Sequence, residues 1–446
     1  MKKILILGAG QSAPFLIHFM LEQAKENNWF VKVCDYNLEL AEKRVNNHPN
    51  GQAVKFDVND SELRQSLIKE SDIVINLLAP TFQYQVALDC VTYGKHVITA
   101  SYTNPMVTEL NNDAIKKNVL VLNEMGLDPG IDHMSAMAVI EKVKNSGGEI
   151  TGFYSYGSAV AAPSPNLNPL GYYITWNPRN VVMAGESGAL YIENGKKKVL
   201  SQQNVFRRTW EVEVDGVGTL EAYPNRDSLI YTNVFDLPNV ETMIRGTLRY
   251  PGWSEVWRQI ILLGMPNEKM FIPGLSEMTY AEFTEMFIAL NSTGNSIKNR
   301  VANSLSINPT GTIMRKLDWL GLFSDEKIGG NPKTAADVLV ELLKKKLKMP
   351  EGEKDMVVLM HQIDAKFKDG KKKRYSSLMV EYGDPKGFTA IAKTVGLPAA
   401  LAATMLLKGE LMLRGCHIPT HPSIYSKVLG KLADYGIKFK EVIEEQ

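Results

Sequence analysis

Residues 123–133, Asn-Glu-Met-Gly-Leu-Asp-Pro-Gly-Ile-Asp-His, gather three acids and a histidine around two glycines and a proline. A carboxylate or imidazole on a loop after a strand can give or take a proton within hydrogen-bond reach of a bound substrate. Asp128 is the stronger candidate for that work. Asp132 reads better as a cap for the next helix, and His133, inside that helix, is balanced between structural and catalytic roles. A second constellation, Gly8-Ala9-Gly10-Gln11-Ser12-Ala13, fits G-x-G-x-x-[G/A]. Gly8 permits a tight turn, Gly10 lets backbone amides approach a pyrophosphate, and Ala13 lets a helix pack close to its sheet. Asp35 follows 22 residues after Ala13. A carboxylate there accepts hydrogen bonds from a ribose 2′-OH and repels a 2′-phosphate, so it predicts NAD in preference to NADP, with NADP still possible.

Two further stretches, 223–228 and 245–250, carry Arg226, Arg245 and Arg249. Arginine forks bind carboxylates in bidentate fashion. On spacing alone these arginines read as surface ion pairs. The lysine runs 196–198 and 371–374 follow glycines in expected turns and read as solvated hairpin tips, not nucleic-acid patches. Cys416, His417 and His421 lack the further clustered ligands a metal site needs, so no metal is expected.

The elements that must position these groups alternate. Strands are expected at 3–7, 31–34, 53–58, 72–78, 96–99 and 119–123. Helices are expected from Pro14 and over 38–47, 82–93 and 105–117, with another to Glu70 capped by Asn59 and Glu62. Such alternation builds a parallel sheet with helices on both faces, and ligands bind beyond the carboxyl ends of its strands. That rule brings Gly8, Gly10, Gln11, Ser12, Ala13, Asp35, Asp57, Val58, Leu78, Leu127, Asp128, Gly130 and Ile131 to a dinucleotide, with Ser101 and Tyr102 facing the same crevice. Beyond residue 130 the pattern becomes α+β: strand-like runs, a Pro/Asn/Gly-rich loop over 158–180, mostly helix over 252–348, a hairpin over 355–382 turning at Asp369-Gly370, and an apolar helix over 388–407 interrupted at Gly396-Leu397-Pro398. The expected fold is therefore an N-terminal Rossmann parallel sheet plus a second α+β domain with a mostly helical insertion. The expected domains are 1–130 rejoined by about 385–446; 131–265 with about 350–384 for substrate and dimerisation; and a helical subdomain at 266–349.

Bulk properties agree with an ordinary globular protein. The 446 residues carry a formal net charge of +1, which makes no electrostatic case for nucleic acid or an anionic membrane. Three widely spaced cysteines form no disulfide framework, no leader pattern precedes the first strand, and no apolar run of 18 residues stands out. A cytoplasmic location with no membrane partner is expected.

Together with Ala100-Ser101-Tyr102, Asn168-Pro169-Leu170-Gly171-Tyr172, 223–228, 245–250, Trp319-Leu320-Gly321-Leu322 and Thr394-Val395-Gly396-Leu397-Pro398, the 123–133 stretch resembles the L-glutamate-forming saccharopine dehydrogenases. The resemblance runs in order from the first strand to near the C-terminus. It implies an oxidoreductase of lysine metabolism that acts on the CH–NH of a secondary amine. Saccharopine, NAD(P)⁺ and water would give L-glutamate, 2-aminoadipate 6-semialdehyde and NAD(P)H, or the reverse. It further implies that Ser101 and Tyr102 contact saccharopine, that Arg226 binds one of its carboxylates, and that Thr247, Leu248 and Arg249 line the same pocket. Asp128 and Tyr102 are then the catalytic candidates, and a homodimer through the second domain is expected. Two departures stand out. Ser155-Tyr156-Gly157 replaces the Ser-Tyr-Cys of fungal members, so a cysteine role cannot operate. Asp35 stands where fungal biosynthetic members carry an arginine near the end of the second strand, which again points to NAD and towards lysine breakdown. The competing readings are a carboxynorspermidine-type dehydrogenase and a non-catalytic dinucleotide sensor. The two arginine motifs argue against the first, and joint retention of Tyr102, Asp128, Arg226 and Arg249 against the second.

Overall fold

The structure is a computed structural model describing residues 1–446. Contacts divide it into two units, residues 1–150 with 359–446, and residues 151–358. The first unit is built on β1 (Lys3–Leu7), β2 (Phe30–Asp35), β3 (Gly51–Lys55), β4 (Ile73–Asn76), β5 (His96–Thr99) and β6 (Leu120–Leu122). Their order is β3-β2-β1-β4-β5-β6, with the strand Gly415–His417 added beside β6, and every pair is parallel. The β1 sequence Lys-Ile-Leu-Ile-Leu is buried on both faces past Lys3, as a central parallel strand must be. Strand order reverses at β1, which pairs with β2 on one side and β4 on the other. A crevice opens at such a reversal, beyond the carboxyl ends.

Helix α1 (Pro14–Asn27) starts with proline at its first turn, where the missing N–H costs nothing. Helix α2 (Leu38–Val45) is capped by the Asn37 side chain, which accepts from the Leu40 N–H. The helix Ser61–Glu70 is capped by Asp60, not by the Asn59 pair expected, because Asn59 is held in a turn on Asp57. The helix expected over 105–117 is two, Pro105–Glu109 and Asn111–Lys116. The apolar helix Ala390–Leu407 runs unbroken through Pro398. An interior proline costs about 3 kcal/mol, which burial of nearly the whole helix offsets. A Cβ on Gly396 would lie 3.0 Å from the Leu16 backbone, so the Gly-Leu-Pro stretch is where this helix meets α1. By length and composition this helix is apolar enough to cross a membrane, but 83% of it is buried as a core element.

In the second unit, strand β7 (Glu149–Ala161) is followed by β8 (Ala189–Glu193), β9 (Lys196–Leu200), β10 (Trp210–Val214), β11 (Gly218–Pro224), β12 (Arg226–Asp227) and β13 (Thr242–Arg249). β13 runs parallel to β7 and antiparallel to β11 and β8, giving a mixed sheet. Residues 253–346 are mostly helical, from Trp253–Leu262 to Ala335–Lys346. Trp253 stacks on Trp257 at 5.1 Å and on Tyr223 at 6.1 Å, an aromatic block behind β11 and β13. From Leu359 onward the hairpin lies in the first unit, where Lys372–Tyr382 pairs with the C-terminal strand Lys440–Glu445.

Candidate functional site

In the first unit the polar loop after β6 is pinched shut by its glycines. The Gly126 N–H donates to the Pro129 carbonyl, and Ile131 and Asp132 donate back to Gly126 and Leu127. Gly130 has φ +144°, and a Cβ on it would lie 2.1 Å from the Gly126 oxygen, so only glycine fits. The pinch leaves Asp128 at the tip, where its Oδ1 accepts a 2.9 Å hydrogen bond from the Tyr102 hydroxyl. Two separately expected residues, 26 positions apart in the chain, are thus one exposed phenol–carboxylate pair. Ser101 precedes it, its carbonyl accepting from the Glu124 N–H.

Beneath that pair lies a buried row. His133 Nε2 sits 2.7 Å from Glu124 Oε2, and Nδ1 sits 3.2 Å from Asp132 Oδ2. Glu124 Oε1 accepts from the Thr103 N–H at 2.9 Å, and Asp132 Oδ1 from the Gly130 N–H at 2.6 Å. His133 therefore has acids on both ring nitrogens, one holding the Tyr102 loop and the other the Asp128 loop. Asp132 serves the backbone, as expected, but by reaching back to Gly130 from inside the helix Ile131–Asn145 and not as its N-cap. Ile131 and Leu127 are buried among these bonds.

The glycine loop lies at the reversal of strand order. Gly8, at φ +103°, brings its α-carbon against Leu77, where a Cβ would meet the Leu77 carbonyl at 3.1 Å. Gly10 has no neighbour within 4 Å of a Cβ position, so the space above it is open, and Gln11 and Ser12 follow at the mouth of α1. Ala13 is buried and ends the turn with a bond to the Gly10 carbonyl. Asp57 is committed to the Asn59 turn, Val58 is buried with its carbonyl on Arg64, and the Leu78 N–H is held by Asn76.

In the second unit, β11 and β13 pair with Tyr223 opposite Thr247. A cavity of about 180 Å³ is lined by Arg226, Thr247 and Arg249, together with Tyr223, Trp176 and Asn180. Side chains alternate along a strand, so Thr247 and Arg249 share one face and Leu248 takes the other. Leu248 is wholly buried there, and its carbonyl accepts from Ser158 and from Arg249. Arg226 is exposed and left-handed at φ +56°. Arg249 is no surface ion pair: it is only 4% exposed. Its guanidinium lies 5.0 Å from the Tyr172 ring and 5.1 Å from Trp253, and its Nε has no hydrogen-bond partner. A buried cation facing aromatic rings with a donor unspent is built to receive an anion. Arg245 is buried as well, 4.2 Å over Tyr231. Sequence reasoning missed Trp176, Asn180 and the turn at 183–188. The signal was the long loop itself, since irregular stretches of that length in compact domains are commonly functional. Cys416 and His417 bond to backbone carbonyls of Val107 and Arg414, and His421 caps the helix Pro422–Asp434.

Family models match the chain over most of its length. Residues 4–122 match the saccharopine dehydrogenase NADP binding domain, and residues 126–437 the saccharopine dehydrogenase C-terminal domain. The NADP(+)-dependent, L-glutamate-forming saccharopine dehydrogenase of Schizosaccharomyces pombe is 33% identical, with 100% of both chains covered. The mitochondrial alpha-aminoadipic semialdehyde synthase of Bos taurus is 32% identical over 98% of this chain and 47% of that protein. The solved apo saccharopine dehydrogenase of Saccharomyces cerevisiae superposes with a TM-score of 0.88 at 31% identity, covering 100% of each chain.

These findings overturn the expectation of NAD drawn from Asp35. The full-length fungal relatives are named as NADP(+) enzymes, and the N-terminal match is to an NADP binding domain. The structure supplies a physical reason. Asp35 Oδ2 accepts the Ala9 N–H at 2.7 Å and Oδ1 the Asn37 N–H at 2.9 Å, so the acid fixes the glycine loop and the turn after β2, a structural role that does not depend on a ribose hydroxyl.

Proposed function

The chain belongs to the saccharopine dehydrogenase family, and we propose that it catalyses the reversible, NADP-dependent cleavage of saccharopine to L-glutamate and 2-aminoadipate 6-semialdehyde. Full-length likeness to named saccharopine dehydrogenases carries this reading, and the Tyr102–Asp128 pair supports it.

The glycine loop suits a dinucleotide: the space above Gly10 is open for a pyrophosphate, and α1 begins there with its free amides. When bound, NADP⁺ supplies the hydride acceptor for the carbon beside the substrate's secondary amine. Water must then add to the resulting substrate imine, and the carbinolamine must collapse, with a proton moved at each stage. Asp128 is the acceptor and Tyr102 the donor we assign to those transfers. Their hydrogen bond lets a proton taken by one be replaced through the other. The buried Glu124–His133–Asp132 row holds both loops in place. Saccharopine bears three carboxylates, and Arg249, with Arg226 beside the same cavity, is the residue set we assign to one of them. Ser101 and Thr247 would add polar contacts.

We further propose a cytoplasmic homodimer. Support for the compartment is that Cys34, Cys90 and Cys416 are all free thiols. The decisive assay follows absorbance of reduced nicotinamide on mixing the protein with saccharopine and NADP⁺. Reduction, with glutamate as a product, supports the reading. No reduction under conditions where NADPH binds refutes it. Light scattering reads the oligomeric state.

A further inference from the structure

In folds of this kind a nearby arginine accommodates the adenine ribose 2′-phosphate of NADP, yet the residue ending β2 is the acid Asp35. We infer that Arg44, on α2, is the group that receives this phosphate. The inference rests on the NADP reading above. Arg44 is half-buried, and its Nε donates to the Ala9 carbonyl at 3.3 Å. Asp35 accepts the N–H of the same Ala9. The two charges thus grip the two peptide groups of the residue between Gly8 and Gly10, on the rim of the open space over the loop. Two backbone donors hold Asp35, whereas the only hydrogen bond of Arg44 is made by Nε, leaving both terminal nitrogens unspent. No ion pair uses the guanidinium. A guanidinium fixed at Nε with its outer edge unspent presents the planar fork that phosphate oxygens accept.

The nearest rival is Lys55, which ends β3 opposite Asp35. It is exposed and has no anchor on the glycine loop. A flexible, fully hydrated ammonium gains less from a phosphate than an anchored fork does.

The test is calorimetric and needs no turnover. The full chain is titrated with 2′,5′-ADP and with 5′-ADP, which differ only in the 2′-phosphate. The wild type should prefer 2′,5′-ADP by about 10- to 100-fold, the worth of one or two charge-assisted bonds. Arg44→Gln should bring the ratio to within about threefold of unity by weakening 2′,5′-ADP alone. Arg44→Lys, which keeps charge but not the fork, should fall between, and Lys55→Gln should keep the wild-type ratio. A preference retained in both Arg44 variants, or lost in Lys55→Gln alone, overturns the assignment while leaving the NADP reading intact. A wild type with no preference overturns both.

Discussion

Arg249→Met separates binding from stability, because the two respond in opposite ways to a buried cation awaiting its anion. In the free protein the guanidinium is almost fully buried with Nε unsatisfied, a cost of roughly 1–3 kcal/mol. Against that stand the bonds from Nη1 to the Leu248 carbonyl at 2.8 Å and, more weakly, to the Ser158 hydroxyl at 3.4 Å, with the faces of Tyr172 and Trp253, together worth about 2–4 kcal/mol. Methionine has similar length, and its thioether packs well on aromatic rings. The Leu248 carbonyl is not orphaned, because Ser158 also donates to it at 2.6 Å. The net change in stability is therefore within about 1 kcal/mol, a thermal midpoint shift of no more than about 3 °C. Loss of a desolvated guanidinium–carboxylate pair costs binding about 3 kcal/mol, or roughly a 150-fold rise in the KM for saccharopine. Differential scanning fluorimetry and steady-state kinetics on the same preparation read both numbers. A large fall in midpoint with an unchanged KM would show that Arg249 is a structural residue and refute the reasoning.

Three further outcomes are expected. Gly10→Ala should leave the thermal midpoint unchanged, since nothing lies within 4 Å of the added Cβ, yet weaken NADPH binding measured by fluorescence about tenfold or more; Gly8→Ala, at φ +103° and against Leu77, should instead cost roughly 1–3 kcal/mol of stability. Asp128→Ala should lower kcat by about 100-fold or more with NADPH affinity nearly unchanged, and unchanged turnover would remove Asp128 from the mechanism. The third concerns pH. Burial, then the charges of Arg414 and Lys2, lower the His96 pKa to about 4, and its Nδ1 accepts the Leu120 N–H. Because the folded value lies below the unfolded one of about 6.5, the unfolded chain takes the proton first as pH falls. This contribution to stability is complete above about pH 6.5 and is lost between there and about 4. The midpoint should drop over that window, and His96→Asn, which cannot titrate, should flatten the drop.

Local pattern carried the first unit far. Apolar strands spaced by helices, a glycine turn after β1 and a proline opening α1 are short-range features, and each is settled by steric and hydrogen-bonding rules within a few residues. Where neighbours competed for the same task, as Asn59 and Asp60 did for a helix cap, only the geometry of the turn chose between them. The unbroken helix through Pro398 was illegible for a related reason: propensity speaks of the isolated segment, and burial against α1 outweighs it.

At the site, residue types were legible and arrangements were not. Tyr102 and Asp128 were each recognisable, but their hydrogen bond exists because the Gly126–Gly130 pinch turns one loop towards another. Arg249 read as a surface residue because sequence spacing carries no information on burial; β13 and the aromatic block behind it enclose the guanidinium. Asp35 was identified in the right place with the wrong consequence. A carboxylate at the end of β2 can serve a ribose or its own backbone, and its backbone role rests on the Ala9 and Asn37 amides that folding brings to it. Chain order thus determined which groups stand at the strand ends, since strand–helix alternation is local. Which of them keep a free face for a ligand was decided by the tertiary structure alone, because hydrogen-bonding capacity already spent within the fold cannot be read from residue identity.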